Sequence, residues 1–332
     1  MSEVRKGVVL QGVDRPADLV SMAREFERLG FDHLWMTDSS LHARDPYQML
    51  ALAASATQRL VVGTAVTNPI SRHPALTAVS AATLAEVSNG RSILGIGAGD
   101  RPLVALGRSP AKLTTLESSI AAIRRLAAGE HVDVDTEVFS LVDAHLRFPA
   151  QADIPVYISA TGPRTLELSG RIADGVILLC GLEPRVVRWA IEHIDRGATQ
   201  AGRPRPKIAV FAYGIIDEDE QAAIAGARTI AAWFPQTSPQ YCDLVGLDPA
   251  IRDAVRESYT GGEFQEAAAA AALLPDDFVQ QMALAGGRER ATAQLRSLAE
   301  VGVDSINVFP LGDDRMATIE AFCECFDAAH TG

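Results

Sequence analysis

Eight times along this chain a short, continuously apolar run is followed by a longer run with apolar residues at helical spacing. Gly7–Val13, His33–Thr37, Leu60–Val66, Ser92–Gly97, Pro155–Ser159, Gly175–Leu179, Ile208–Ile216 and Ser305–Phe309 read as strands. The stretch after the first of them puts Leu19, Met22, Ala23, Phe26 and Leu29 on one helical face, and Gly30 stops it. Strands apolar throughout fit parallel strands covered on both faces. A doubly wound open sheet is the competing architecture. Its phosphate fingerprint is missing, because the first strand runs into Gln11, Gly12, Val13 and Asp14 with no GxGxxG opening a helix. The pattern therefore predicts an α/β chain folded as one (β/α)8 TIM barrel over residues 1–332. Two segments break the rhythm. Residues 131–148 hold two extended-looking pieces, and residues 234–284 are alanine-rich and helical in character.

The excess of acid over base, a formal net charge of −12, argues against nucleic acid and anionic membranes as partners. The longest apolar stretch, Ala267 to Leu274, is far shorter than the ~20 residues of a membrane helix. Residues 1–6 lead into the first strand without a signal-peptide core. Cys180, Cys242, Cys323 and Cys325 form no CxxC and no zinc spacing. Reduced thiols in a cytoplasmic protein, with no metal, is the expectation.

A barrel of this kind carries its chemistry in the loops after the strand C-termini. In this sequence those loops hold Gln11; Asp38 and Ser39; Ala65, Val66, Thr67 and Asn68; Gly97, Ala98, Gly99 and Asp100; Ser159 to Arg164; and Cys180 with Gly181. Ser159-Ala160-Thr161-Gly162-Pro163-Arg164 is the phosphate candidate. Gly162 permits close approach, Pro163 suits the first helical position, and Arg164 adds charge-assisted bonds. Asp38 and Asp100 are the acids nearest the expected mouth, available to bond a ring or relay a proton. Helix capping and a solvated loop acid are their plain alternatives. His73 reads as part of a helix start. No Ser-His-Asp order, HExxH or paired-carboxylate spacing appears, so a bound cofactor that carries the chemistry fits better than side-chain hydrolysis.

The string Gly63 to Pro74 (GTAVTNPISRHP), then Leu94 to Asp100 (LGIGAGD), with Leu106-Gly107 and Ser159 to Gly175, resembles the luciferase-like superfamily of flavin and deazaflavin barrels. The branch it is most similar to is the coenzyme F420-dependent methylenetetrahydromethanopterin reductase type. The resemblance also takes in residues 278–286 and 288–301, and leaves out 131–148 and much of 236–276. It implies a barrel, usually a homodimer, with the ring across the strand C-termini. It implies a non-proline cis peptide at Ala65–Val66 behind the ring, an acid at Asp38 beside it, and the phosphate at Thr161–Arg164. Many deazaflavin members have Asp-His after strand two, whereas this chain has Asp38-Ser39. That departure counts against dehydrogenation of hydroxyl groups. Asp100 stands where some relatives have Glu.

The expected function is hydride transfer between coenzyme F420 and a small organic substrate, with Asp38, Asp100 and Ser39 as the catalytic candidates. An FMN-dependent monooxygenase and a non-catalytic cofactor-binding barrel are the alternatives. The substrate is expected against residues 39–45 and the 234–284 insertion. Trp233, Phe234, Tyr241, Tyr259 and Phe264 there suggest either an aromatic lid or simple packing of the insertion onto the barrel.

Overall fold

The computed structural model describes residues 4–148, 150, 152–259 and 267–330. Its strands are β1 (Arg5–Leu10), β2 (His33–Met36), β3 (Val61–Thr64), β4 (Ser92–Ile96), β5 (Val132–Asp135), β6 (Ser140–Ala144), β7 (Val156–Ser159), β8 (Gly175–Leu178), β9 (Lys207–Ile216), β10 (Leu284–Gly286) and β11 (Ser305–Pro310). Eight of them pair in parallel in the order β11-β1-β2-β3-β4-β7-β8-β9, and β9 pairs back onto β11. The sheet is thus the closed (β/α)8 barrel that the alternation predicts. Strands end one to three residues before most of the apolar runs do, because those last residues turn into the loops of the mouth.

The two interruptions take different forms. β5 and β6 make an antiparallel hairpin. The insertion is a chain of short helices at Trp233–Thr237, Pro239–Val245, Pro249–Ser258, Ala268–Ala271 and Asp276–Met282. It ends in β10, which pairs with the last three residues of β9. Three residues of Leu-Ala-Gly are too short to show a period, which is why the sequence pattern does not announce this strand.

Proline opens the helices at Pro16, Pro46, Pro74, Pro163 and Pro184, where the missing N–H costs nothing and φ is preset. Each of these helices follows a strand C-terminus, so the prolines mark the face where ligand loops gather.

The barrel interior is a small apolar cluster of Val9, Trp35, Ile93, Ile177, Ala209 and Phe211. Trp35 is fully buried, and its indole N–H donates to Asn307 Oδ1 at 2.9 Å. The Asn307 amide in turn donates to the Val210 carbonyl at 3.2 Å. Room for the indole comes from β3, since a Cβ on Gly63 would lie 2.6 Å from its ring. At the opposite end from the mouth, His33 is buried at the start of β2, and its Nδ1 has no hydrogen-bond partner among the described residues.

Burial, with a smaller contribution from Arg5, pushes the His33 imidazole down from its ordinary 6.5 to about 4. Above pH 6.5 the ring is neutral in both folded and unfolded chains. Between 6.5 and 4 the unfolded chain takes a proton that the folded chain refuses, so stability falls as pH drops. The expected loss is on the order of 1 kcal/mol per pH unit in that window. His33→Gln removes this slope from a series of thermal melts; an unchanged slope contradicts the assignment.

Candidate active site

The mouth is built from the loops after β2, β3, β4, β7 and β8. Asp38 lies two residues beyond β2 with a side chain only 3% exposed. Its Oδ2 accepts from Thr67 Oγ1 at 2.8 Å and from Arg72 Nε at 2.6 Å. The other guanidinium nitrogen of Arg72 reaches Asp38 Oδ1 at 3.3 Å and also bonds Asp45. Asp45 caps the helix Pro46–Ala56 by accepting from the Gln48 N–H at 3.1 Å. The same guanidinium lies 5.1 Å from the ring centre of Tyr47, within cation–π range. Burial works against the charge of Arg72, but hydrogen bonds and attraction from Asp38 and Asp45 outweigh it and hold the guanidinium above its ordinary value. A single arginine therefore ties the loop after β2 to the loop after β3.

That second loop forms the inner wall of the mouth. The peptide between Ala65 and Val66 is cis. Ala65 N–H donates to Met36 O at 2.7 Å, Thr67 N–H to Gly95 O at 3.0 Å, and Gly97 N–H to Thr67 O at 2.9 Å. Asn68 Oδ1 collects the N–H groups of Ile70 and Ser71, at 3.0 and 2.8 Å. Ala65 and Val66 are half-buried and rest on the interior cluster around Trp35 and Tyr157. They close the top of the barrel core with a small apolar surface.

The glycines after β4 pack on this wall. A Cβ on Gly95 would sit 1.9 Å from the Thr64 carbonyl oxygen, and one on Gly97 would sit 3.0 Å from a Val66 methyl. Gly99 has φ +87°, and a Cβ there would crowd Leu103 and Asn68. Packing thus explains all three without a ligand. Ala98 between them is half-buried, with its carbonyl accepting from Ala111 N–H at 2.8 Å. Asp100 is exposed where the short turn Arg101–Leu106 begins. Ser39 is half-buried and bonds Thr37 Oγ1 at 3.2 Å, and Gln11 is exposed with its carbonyl accepting from Thr37 at 3.2 Å.

Beside these glycines, on the strand paired to β4, lies the turn after β7. Ser159 and Thr161 are half-buried and Ala160 is buried. Gly162 precedes the helix Pro163–Ile172, and its carbonyl starts that helix by accepting from Thr165 and Leu166, each at 3.0 Å. Its φ of −85° is ordinary, and a Cβ there would meet nothing within 4 Å. Neither backbone conformation nor packing asks for glycine at this position. An open cradle at a helix N-terminus, beside the exposed Arg164, is the arrangement a phosphate requires.

Cys180 faces elsewhere. It is fully buried among the residues packed between barrel and helices, and burial pushes its thiol up to about 12. Only the backbone of residues 180–181 can serve the mouth. Gly181, at φ +79°, is pressed against the Gln281 carbonyl, which accepts from Leu182 N–H at 2.8 Å. His73 is a helix-start residue, its Nδ1 accepting from Ala75 N–H at 3.2 Å. Among the described residues no group of three His, Cys, Asp or Glu side chains could hold a metal.

The described insertion aromatics pack the insertion onto the barrel. Phe234, Tyr241 and Tyr259 are buried and Trp233 half-buried in packing against the barrel, while Phe264 lies outside the described residues. Sequence reasoning missed Arg72 as the partner of Asp38, with Asp45 and Tyr47 against the same guanidinium, and Tyr241 as a neighbour of the phosphate turn. The available signal was charge balance: two acids flanking one loop need a cation, and Arg72 is the arginine of the RHP string.

The model of the luciferase-like monooxygenase family matches residues 2–305. The chain belongs to that family. It is 33% identical over 323 residues to the 5,10-methylenetetrahydromethanopterin reductase of Methanolobus tindarius, covering 95% of this chain and 97% of the relative. It is 33% identical over 208 residues to the F420-dependent glucose-6-phosphate dehydrogenase of Microbacterium testaceum, covering 58% of this chain and 62% of the relative. The solved coenzyme F420-dependent tetrahydromethanopterin reductase of Methanopyrus kandleri superposes with a TM-score of 0.84 at 26% identity, covering 97% of this chain and 98% of that one. The luciferase-like barrel is thus shared over nearly the whole length of the two chains.

Removing the Arg72 charge leaves Asp38 buried without its cation. Arg72→Met is expected to cost about 2 kcal/mol, less than a fully buried pair because Arg72 is partly exposed. Arg72→Lys restores only part of this, since one ammonium does not span both carboxylates. Thermal unfolding checks it, and equal melting temperatures for wild type and both variants contradict the bridge.

Proposed function

We propose that this luciferase-like barrel is a coenzyme F420-dependent oxidoreductase that passes hydride between the deazaflavin and a small organic substrate. The observation that carries the proposal is the full-length match to the F420-dependent reductase fold, together with the open cradle at Gly162. When bound, the deazaflavin supplies the carbon that carries the hydride. Ala65 and Val66 offer one face of the ring an apolar support. Thr67, Asn68, Gly97, Ala98 and Gly99 hold that support in place, with Asp38 and Arg72 as its anchor. Gln11, Cys180 and Gly181 border the mouth through their backbone or exposed side chain. Ser159, Ala160, Thr161, Gly162, Pro163 and Arg164 take the phosphate at a helix N-terminus.

The pairing of Asp38 with Arg72 and Thr67 makes it a positioning residue in this reading. Asp100, exposed at the rim, is the carboxyl that can assist a proton transfer on the substrate, and Ser39, whose hydroxyl donates to Thr37 Oγ1, is the hydroxyl offered by the loop after β2. Ser39 in place of a histidine favours the reductive direction over removal of hydride from an alcohol.

We further propose a homodimer through the helices Pro46–Ala56 and Pro74–Val87. The second is apolar on its inner face and still exposes Leu76, Val79 and Val87, with Leu52 exposed on its neighbour. Four buried free thiols and the absence, among the described residues, of any helix long and apolar enough to cross a membrane support a cytoplasmic setting.

Fluorescence titration with coenzyme F420 and FMN side by side tests the function. F420 is expected to bind at least tenfold more tightly, and Gly162→Val to weaken it without moving the melting temperature. Preference for FMN turns the reading to a monooxygenase, and binding of neither refutes an enzyme of this class. With F420 bound, Asp100→Asn is expected to lower turnover at unchanged cofactor affinity; full turnover removes Asp100 from the reaction. Sedimentation at micromolar concentration is expected to give a dimer that Val79→Asp dissociates, and a monomeric wild type contradicts the proposed face.

A further inference from the structure

Two hydrogen bonds join the insertion to the phosphate turn. The Thr161 carbonyl oxygen accepts from the Tyr241 hydroxyl at 2.7 Å and from Gln240 Nε2 at 3.2 Å. Both donors lie on the helix Pro239–Val245. A trans peptide is planar, with its C=O and N–H on opposite sides. Fixing the Thr161 carbonyl toward the insertion therefore aims the Gly162 N–H the other way. Gly162 is the residue whose surroundings are open and which stands at the helix start.

The donor itself is rigid. Tyr241 is fully buried, and its ring meets Trp189 edge-on at 5.8 Å. The end of its helix is tied down by Arg185, which donates to the Val245 carbonyl at 3.0 Å. Burial raises the phenol well above its ordinary value, so the hydroxyl keeps the proton it donates. A two-donor clamp on the carbonyl of the half-buried Thr161 is more than packing the insertion onto the barrel needs, because the same helix already buries Tyr241, Cys242 and Val245.

We propose that Tyr241, seconded by Gln240, is a positioning residue for cofactor recognition: through the Thr161 carbonyl it holds the Gly162 N–H in the direction a phosphate oxygen needs. The inference rests on the F420 reading above and assigns the insertion a task in it. The insertion then selects for the phosphorylated end of the cofactor and not for the ring.

The test compares affinities of wild type, Tyr241→Phe and Gln240→Ala for coenzyme F420 and for its phosphate-free deazaflavin. Wild type is expected to prefer F420. Tyr241→Phe is expected to shrink that preference about 3- to 10-fold, the worth of one well-placed hydrogen bond, with the affinity for the phosphate-free deazaflavin unchanged. Gln240→Ala, at a half-buried side chain, is expected to move the preference the same way by a smaller factor. A merely structural role lowers both affinities together and leaves the ratio intact, and that result overturns the proposal. A wild type that does not distinguish the two ligands instead refutes the phosphate turn itself. If Tyr241→Phe does not fold, an unchanged ratio in Gln240→Ala is enough to overturn the clamp.

Discussion

The Arg72 guanidinium, held between Asp38 and Asp45 and lying over the Tyr47 ring, is the contact on which the mouth of this barrel depends. It joins the loop after β2 to the loop after β3, and the second of these contains the cis peptide and the small apolar surface over the core. The carboxylate of Asp38 also takes the Thr67 hydroxyl, so the pair fixes a backbone path as well as two charges. A partly buried ion pair is rarely retained for stability alone. Here it shapes a surface that no secondary structure covers.

The part of the mouth after β7 and β8 is held by different means. The turn at 159–164 and the loop at 180–182 are braced by neutral hydrogen bonds from the insertion, through Tyr241, Gln240 and the Gln281 carbonyl. Charge on one side and neutral bonds on the other leave the helix N-terminus at Pro163 and the exposed Arg164 as the positive features of that wall. An anionic group placed there meets no acid in the turn itself.

The barrel was legible because each strand is apolar throughout and each helix is marked by proline or a periodic face. The loops that carry the site were legible for the same reason: a barrel puts them after the strands. What could not be read was pairing across distance. Asp38 and Arg72 are 34 residues apart, and Thr161 and Tyr241 are 80 apart, with no local pattern linking them. Asp38 reads in the sequence as an acid for a ring or a proton relay, or as a helix cap, and the structure pairs it with Arg72 and Thr67. The glycines of GIGAG read in the sequence either as a cofactor platform or as a tight bend, and close packing against Thr64, Val66 and Asn68 accounts for the missing side chains. Gly162 is the reverse case, a glycine that packing does not explain. The aromatic residues of the insertion read equally well as lid or as core, and burial places Phe234, Tyr241 and Tyr259 in the core.

The central claim is that the cofactor spans the mouth from the Ala65–Val66 surface to the Thr161–Arg164 turn. A crystal structure of the protein with coenzyme F420 tests it most directly. The account predicts the ring in van der Waals contact with Val66, and a phosphate oxygen within hydrogen-bond distance of the Gly162 N–H. A ring seated away from Val66, or a phosphate held by another turn, would contradict it.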